Sequence, residues 1–384
     1  MTFTLEALQA NDGDCLFLHY QKGAGTPVRV LIDGGARTIY KNVLAKRIDE
    51  LRGKKPLDLR MVMVSHIDAD HITGILDFFK ALEQQFDDNE TLFCNVETLW
   101  HNAFEQLNKG TKALAHSAAM KASVDGVDIP AGLDTFTQAV VASVPQGQEL
   151  RRLATKLKVP INADSGGDVV VAPAKGKKIV KIADGLTFTI LAPNLTQLAR
   201  LEQEFLKAKE KKKGASDAAL AADYLNNTVP NMSSVVVVAE AARPGGKKPL
   251  TMLLAGDARG DVILESLESA GYLKPKGTCH FDLLKVQHHC SSHSTTQDFF
   301  ERVTADHYVI SGNGKHDIPH PKALGWLSAA RSGKAYDAYL TNKIGVDSNK
   351  KTIATFLASE KKLQKKHSYH FREEKDLSIS VALG

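Results

Sequence analysis

Val64-Ser65-His66-Ile67-Asp68-Ala69-Asp70-His71-Ile72-Thr73-Gly74 says more about the architecture than any other part of the chain. Four side chains able to bind a metal, His66, Asp68, Asp70 and His71, fall within six residues. The largely apolar run from Leu59 to Val64 before them reads as a buried strand. After them, Ile72, Ile75, Leu76, Phe78 and Phe79 recur at the spacing of a buried helix face. A turn between a strand's end and a helix's start holds converging side chains on rigid supports. Imidazole nitrogen and carboxylate oxygen both suit zinc, manganese or iron. Such a turn directs His66 and Asp68 one way and Asp70 and His71 another, so one segment serves two ions. Gly74 lets the helix start pack closely. The plainer alternative is an aspartate-rich helix cap with incidental histidines.

Other stretches repeat the pattern of a strand running into a polar turn. Upstream, Phe3 to Leu8 and Cys15 to Tyr20 read as strands around the turn Asn11-Asp12-Gly13-Asp14, and Val28 to Ile32 leads into Asp33-Gly34-Gly35. Downstream, Pro249 to Ala255 runs into Gly256-Asp257-Ala258, and Leu283 to Val286 into Gln287-His288-His289-Cys290-Ser291-Ser292. Tyr308 to Ser311 precedes Gly312-Asn313-Gly314-Lys315-His316-Asp317-Ile318-Pro319-His320-Pro321. Seven of the fourteen histidines lie between 280 and 320, which favours a functional surface there.

The 66–71 segment resembles the His-x-His-x-Asp-His signature of the metallo-β-lactamase superfamily, with Asp68 in place of the second histidine. That variant is found in the ComEC-type, competence nuclease-like branch and in related phosphodiesterases. The resemblance implies an α/β fold of the αβ/βα sandwich type: two mixed sheets face to face, helices outside, and metals at one edge. It implies two divalent ions held by His66, Asp68, Asp70, His71, a bridging Asp257, and one of His288 and His289. It makes Asp33 a buttress of the metal loop through hydrogen bonds. Asp14 is either near the site or a plain hairpin residue.

Two motifs depart from the pattern. Where many members carry a histidine before the bridging aspartate, this chain has Asn231-Met232-Ser233-Ser234. It resembles the branch's Asn-x-x-Ser, with Asn231 against a metal, a water or a substrate oxygen and Ser234 beside it. His101, at the end of the Val96 to Trp100 strand, is the other candidate for that place or for a substrate contact. With Asp68 and no third histidine, the first ion has harder ligands, which favours manganese or magnesium while leaving zinc open. In the turn after Ser311, Ile318 replaces the first histidine of the branch's His-Pro-x-Pro. His316 and His320, with Asn313 in the same turn, then compete between a surface loop and a role as proton donor or phosphate binder.

The 384 residues suffice for one large domain, and 43% are hydrophobic, enough for a core. The expected organisation is one domain over 1–384 with two insertions. The first, about 103–172, reads as a helical cap or a packing module. The second, about 194–230, is a basic helix and loop whose Lys207 to Ser216 block is a solvated helix end, a phosphate grip or a protease-regulated segment. No apolar run approaches the roughly 20 residues of a membrane helix. The N-terminus shows no basic segment followed by an apolar stretch, and the four cysteines lack CxxC spacing. The expectation is a cytoplasmic protein without a membrane partner. The net charge of +5 suits a polyanionic substrate or plain solubility.

The resemblance implies a binuclear metal-dependent hydrolase of phosphodiester bonds, first a DNA nuclease, of a kind associated with bacterial anti-phage defence. Asp70 and Asp257 are its central carboxylates, with His316 or His320 as proton donor. Hydrolysis of a small ester, lactone or cyclic nucleotide is one alternative. A non-catalytic binding or regulatory subunit is another.

Overall fold

The computed structural model describes residues 1–102, 135–167, 169–197, 233–315, 318–342, 356–357 and 366–384, with 135–144 as backbone only. In chain order the strands are β1 (Thr2–Leu8), β2 (Leu16–Gln21), β3 (Val28–Ile32), β4 (Leu57–Leu59), β5 (Met61–Met63), β6 (Cys94–Val96), β7 (Leu99–Trp100) and β8 (Lys178–Ala183). They continue as β9 (Leu186–Ala192), β10 (Val236–Ala241), β11 (Leu250–Leu254), β12 (Cys279–Lys285), β13 (Val303–Ile310), β14 (Tyr336–Leu340), β15 (His367–Phe371) and β16 (Ser378–Ala382). The helices used below are α1 (Ala45–Arg52), α2 (Ala69–Asp87), α3 (Thr135–Lys156), α4 (Gly260–Ser269), α5 (Gln297–Arg302) and α6 (Pro321–Ala330).

One sheet runs β16-β1-β2-β3-β5-β7 and the other β15-β14-β13-β12-β11-β10-β9-β8. Each is antiparallel on one side and parallel on the other. β3, β5 and β7 are mutually parallel, as are β11 through β15. Parallel strands need both faces covered, so they read as continuous apolar runs. Met61 and Met63 of β5 face the layer between the sheets, while Val62 faces the outer layer. In β11, Met252 and Leu254 point inward and Leu253 outward.

Three apolar layers result. Phe3, Leu5, Trp100, Phe188 and Leu283 fill the space between the sheets. Phe78 and Phe79 of α2 with Leu150 and Leu153 of α3 cover the first sheet, and Ile263 of α4, Phe299 of α5 and Leu327 of α6 cover the second. This is the αβ/βα sandwich that the resemblance implied.

Several boundaries differ from the sequence expectation. The run 59–64 breaks at Arg60, which turns its guanidinium to the Ile182 carbonyl and Asp164. The expected Val96 to Trp100 strand divides: Val96 ends β6, paired with β4 in a two-stranded sheet, and Leu99 and Trp100 form β7, in the first main sheet. The lysine-rich C-terminal part supplies two strands, β15 and β16, one to each sheet. The second half of α3 packs on α2, through Leu150, Leu153 and Ala154 and through Arg152 and Lys156 on Glu83. Asn231, His316 and the 207–216 block lie outside the described residues, as does the 103–134 part of the expected helical cap.

Candidate metal centre

The carboxyl ends of the parallel strands meet at one edge of the sandwich, where open α/β sheets place their ligands. Asp33 follows β3, the 65–71 turn follows β5, Asp257 follows β11, His288 and His289 follow β12, and Ser311 follows β13. Five loops remote in sequence thus deliver polar side chains to one place.

The 66–71 turn is pressed there by backbone contact. A Cβ on Gly74 would stand 1.8 Å from the Gly34 oxygen, and one on Gly13 would stand 1.9 Å from the Asp70 oxygen. Only glycine allows these two approaches. Asp68 occupies the N-cap position of α2, yet its side chain makes no capping hydrogen bond. Its Oδ2 lies 3.5 Å from His66 Nε2, and its Oδ1 is buried without a partner. The capping alternative therefore does not describe this aspartate.

Asp257 is the hub. Its Oδ2 lies 3.8 Å from His66 Nε2, 3.4 Å from His71 Nε2, 3.8 Å from His288 Nε2 and 3.6 Å from His289 Nε2. Asp70 Oδ2 is 3.6 Å from His71 Nε2 and 3.7 Å from His289 Nε2. Of the two adjacent histidines, His289 is fully buried and faces both carboxylates, while His288 stands 22% exposed at the mouth with only Asp257 in reach. His288, His289 and Cys290 have φ of 46°, 50° and 65°. None is glycine, and such left-handed residues cost roughly 1–2 kcal/mol each. Cys290 is buried in the outer core with no glycine's freedom, so the turn is held by its surroundings.

Each histidine is held from behind. His71 Nδ1 lies 2.9 Å from Asp33 Oδ2, and a carboxylate only accepts, so Nδ1 carries the proton. Ser65 donates its single hydroxyl hydrogen to Asp33 at 2.6 Å and must accept from His66 Nδ1 at 3.0 Å. Asp33 thereby fixes both rings with their Nε2 atoms facing inward. His288 Nδ1 meets Ser294 Oγ at 2.5 Å and His289 Nδ1 meets Ser311 Oγ at 2.9 Å. Asp257 N–H donates to Ser234 Oγ at 3.3 Å.

The electrostatics show what is missing among the described residues. Buried Nε2 atoms of His66, His71 and His289, with Asp68 Oδ1 and Asp257 Oδ1, have no hydrogen-bond partner. Burial works against a charged His71, yet Asp257, Asp70 and Asp33 raise it well above the usual imidazole range. Burial likewise opposes charge on His289, but Asp257 and Asp14 push it up to about 9. Against their own burial, Asp257 is held well below the carboxylate range by His289, His71 and His288, and Asp70 is lowered by His71 and His289. Burial raises Asp68. These carboxylates retain protons on imidazoles that a divalent cation would displace. Orphaned donors and carboxylates around one centre fit divalent metal ions.

The remaining expected residues fall into two groups. Asp14 lies within 4.8 Å of His71, Asp257 and His289 ligand atoms. Its oxygens are taken by Lys285 and Ser311, so it braces the centre from behind. His320 reaches the His-His turn, its Nδ1 2.9 Å from Ser292 N and 2.7 Å from Ser292 Oγ. Asn313 accepts from Lys315 N within its own turn. His101 is fully buried under α3 with its ring against Gly147, and burial and Arg151 push it down to about 3. Sequence reasoning passed over Ser65, Ser311, Ser294 and Lys285. A lysine inside the apolar run 283–286 was the one available signal.

No family model matches the chain. Among curated proteins, microtubule-associated protein 1A from Rattus norvegicus is 33% identical over 115 residues, covering 29% of this chain and 4% of that protein. The Homo sapiens form is 33% identical over 104 residues, covering 27% of this chain and 4% of that protein. The chain thus matches about 4% of the length of these relatives. Among solved structures, metallo-β-lactamase SMB-1 bound to 2-mercaptoethanesulfonate aligns over 74% of this chain and 79% of its own, at 12% identity and a TM-score of 0.27. The Rm3 metallo-β-lactamase aligns over 73% and 76%, at 10% identity and a TM-score of 0.26. With scores of this size, the fold rests on the chain's own strand order, layers and loops.

Proposed function

We propose that the chain is a metallo-β-lactamase-type hydrolase that uses two divalent ions, and that its substrate is a phosphodiester, DNA first. One observation supports the reading: Asp257 Oδ2 lies within 3.8 Å of the Nε2 atoms of His66, His71, His288 and His289, with Asp68 beside His66 and Asp70 beside His71 and His289. On this reading His66 and Asp68 would hold one ion, Asp70, His71 and His289 the other, and Asp257 both. When bound, such ions polarise a phosphoryl or carbonyl oxygen and acidify water near neutral pH.

The chain's own residues do the rest. Asp33 and Ser65 hold His66 and His71 in the tautomer that presents Nε2. Ser234 steadies the Asp257 backbone. At the mouth, burial outweighs Asp257 and lowers the affinity of His288 for a proton. Phosphodiester cleavage is favoured by two adjoining ion positions. An oxygen-rich first group suits manganese or magnesium, and the net charge of +5 attracts a polyanion.

The test is metal-stripped protein refilled with manganese, magnesium or zinc and offered linear, circular and single-stranded DNA, with RNA in parallel. Cleavage that disappears in Asp257→Ala, by 10³-fold or more, is the expected outcome. Stoichiometric metal without cleavage of any nucleic acid would transfer the reading to a small ester or cyclic nucleotide. Failure to take up metal at all would end it.

A further inference from the structure

β12 ends with an anomaly. Lys285 sits between Leu284 and Val286 in the second sheet and is only 1% exposed. Burying an ammonium costs several kcal/mol unless it is paired and hydrogen-bonded. Its Nζ donates to Asp14 Oδ2 at 2.8 Å and to the Val286 carbonyl at 3.1 Å. Asp14 is equally buried and comes from the N-terminal hairpin, 271 residues away. A leucine at 285 and a small apolar residue at 14 would fill this space without burying charge, so packing alone does not call for the pair.

What the pair touches supplies a reason. Ser311, at the end of β13, donates its hydroxyl to Asp14 Oδ1. The same Ser311 Oγ lies 2.9 Å from His289 Nδ1. A serine has one hydroxyl hydrogen. With that hydrogen committed to an acceptor-only carboxylate, Ser311 can only accept from His289, so Nδ1 carries a hydrogen and Nε2 is the nitrogen left for a metal. Nε2 is the atom that points at Asp257 and Asp70. The arrangement repeats, with different residues, the Asp33–Ser65–His66 relay on the first sheet.

We propose that Lys285, Asp14 and Ser311 are positioning residues that lock His289 in its metal-binding tautomer, Lys285 holding the Asp14 carboxylate that orients the Ser311 hydroxyl. This rests on the metal-centre reading above. It follows that Asp14→Asn, an isosteric change, is damaging. The amide supplies N–H donors to Ser311, whose hydroxyl is then released to donate to His289 Nδ1. That places the ring hydrogen on Nε2 and removes the ligand. Ser311→Ala removes the relay outright, whereas Ser311→Thr keeps the hydroxyl.

The experiment measures zinc and manganese affinity by chelator competition in the full-length wild type, Asp14→Asn, Lys285→Met, Ser311→Ala and Ser311→Thr. Circular dichroism checks that each is folded. In the zinc-loaded proteins, long-range proton–nitrogen NMR of the histidine rings reads which His289 nitrogen carries hydrogen. Loss of a partner that orients a ligand typically weakens metal binding 10- to 100-fold, and that is the loss expected for Asp14→Asn, Lys285→Met and Ser311→Ala. Ser311→Thr should stay within a few fold, and Nδ1–H should be seen on His289 in the wild type. Should Lys285→Met fail to fold, Asp14→Asn and Ser311→Ala decide the matter. Folded Asp14→Asn and Ser311→Ala proteins with wild-type affinity and an unchanged His289 signal would overturn the lock while leaving the metal centre standing. A wild type that binds neither metal would overturn the metal centre, and the lock with it.

Discussion

At the scale of single residues, the site is defined by atoms that find no partner. Three inward Nε2 atoms and two carboxylate oxygens are buried and orphaned around Asp257. A site built to close on itself would pair them, since each unpaired buried group costs about 1–3 kcal/mol. Asp68 carries a direct prediction. It stands where the resembled signature has a histidine, and as a ligand its oxygen would make the site harder. Asp68→His should raise the preference for zinc over manganese by about tenfold or more, read as the ratio of the two dissociation constants in competition titrations. An unchanged ratio would remove Asp68 from the ligands.

At the scale of elements, the turn into α2 works because three glycines let backbone lie on backbone. Gly34 and Gly74 approach so closely that a Cβ on either would overlap the other's main chain. Gly13 does the same against Asp70. The hairpin before β2, the loop after β3 and the start of α2 therefore form one clamp around the 66–71 turn. Gly74→Ala has no flexible side chain to displace and should destabilise the fold by about 1–3 kcal/mol. It should also weaken metal uptake, because His71 and Asp70 move with the helix start. Denaturant melts and metal titrations of the same preparation check both parts. A variant with wild-type stability would show that the turn adapts more than these distances allow.

Across the whole molecule, the two ends of the chain are tied at the outer face of the first sheet. Glu6 of β1 is only 1% exposed and receives Arg47 of α1, His19 of β2 and Ser378 of β16. Burial opposes its charge, but His19, Ser378 and Arg47 outweigh it and hold the carboxyl down at about 2. Its folded pKa lies below its unfolded one, so the stabilisation is present above about pH 4.5 and drains away as the pH falls towards 2. The amount is on the order of 3 kcal/mol. Glu6→Gln should lower stability at neutral pH by up to that amount and flatten the acid limb between those pH values. Urea melts from pH 7 to 2.5 check it, and parallel acid limbs for both proteins would contradict it.

How much of this was legible in the chain differs from residue to residue. The 66–71 segment, the Asp257 turn and the His-His turn could be read because each combines a local apolar run with polar residues at close spacing, and local spacing is carried by sequence. Asp33 was legible through the resemblance, which places a buttressing aspartate after that strand. Ser65, Ser311 and Lys285 were not, because a hydroxyl or an ammonium acquires its role from a partner tens to hundreds of residues away. Apolar runs and polar turns were enough to mark the strand ends and the short list of ligand-type residues, and the layered α/β class followed from the family resemblance that those motifs carry. It took the folded chain to show that Asp257 stands among four histidines, that His289 is buried while His288 lies at the mouth, and that Asp14 braces the centre. Those are matters of which loop ends meet at the edge of two facing sheets, and strand order and backbone contact settle that only once the chain has folded.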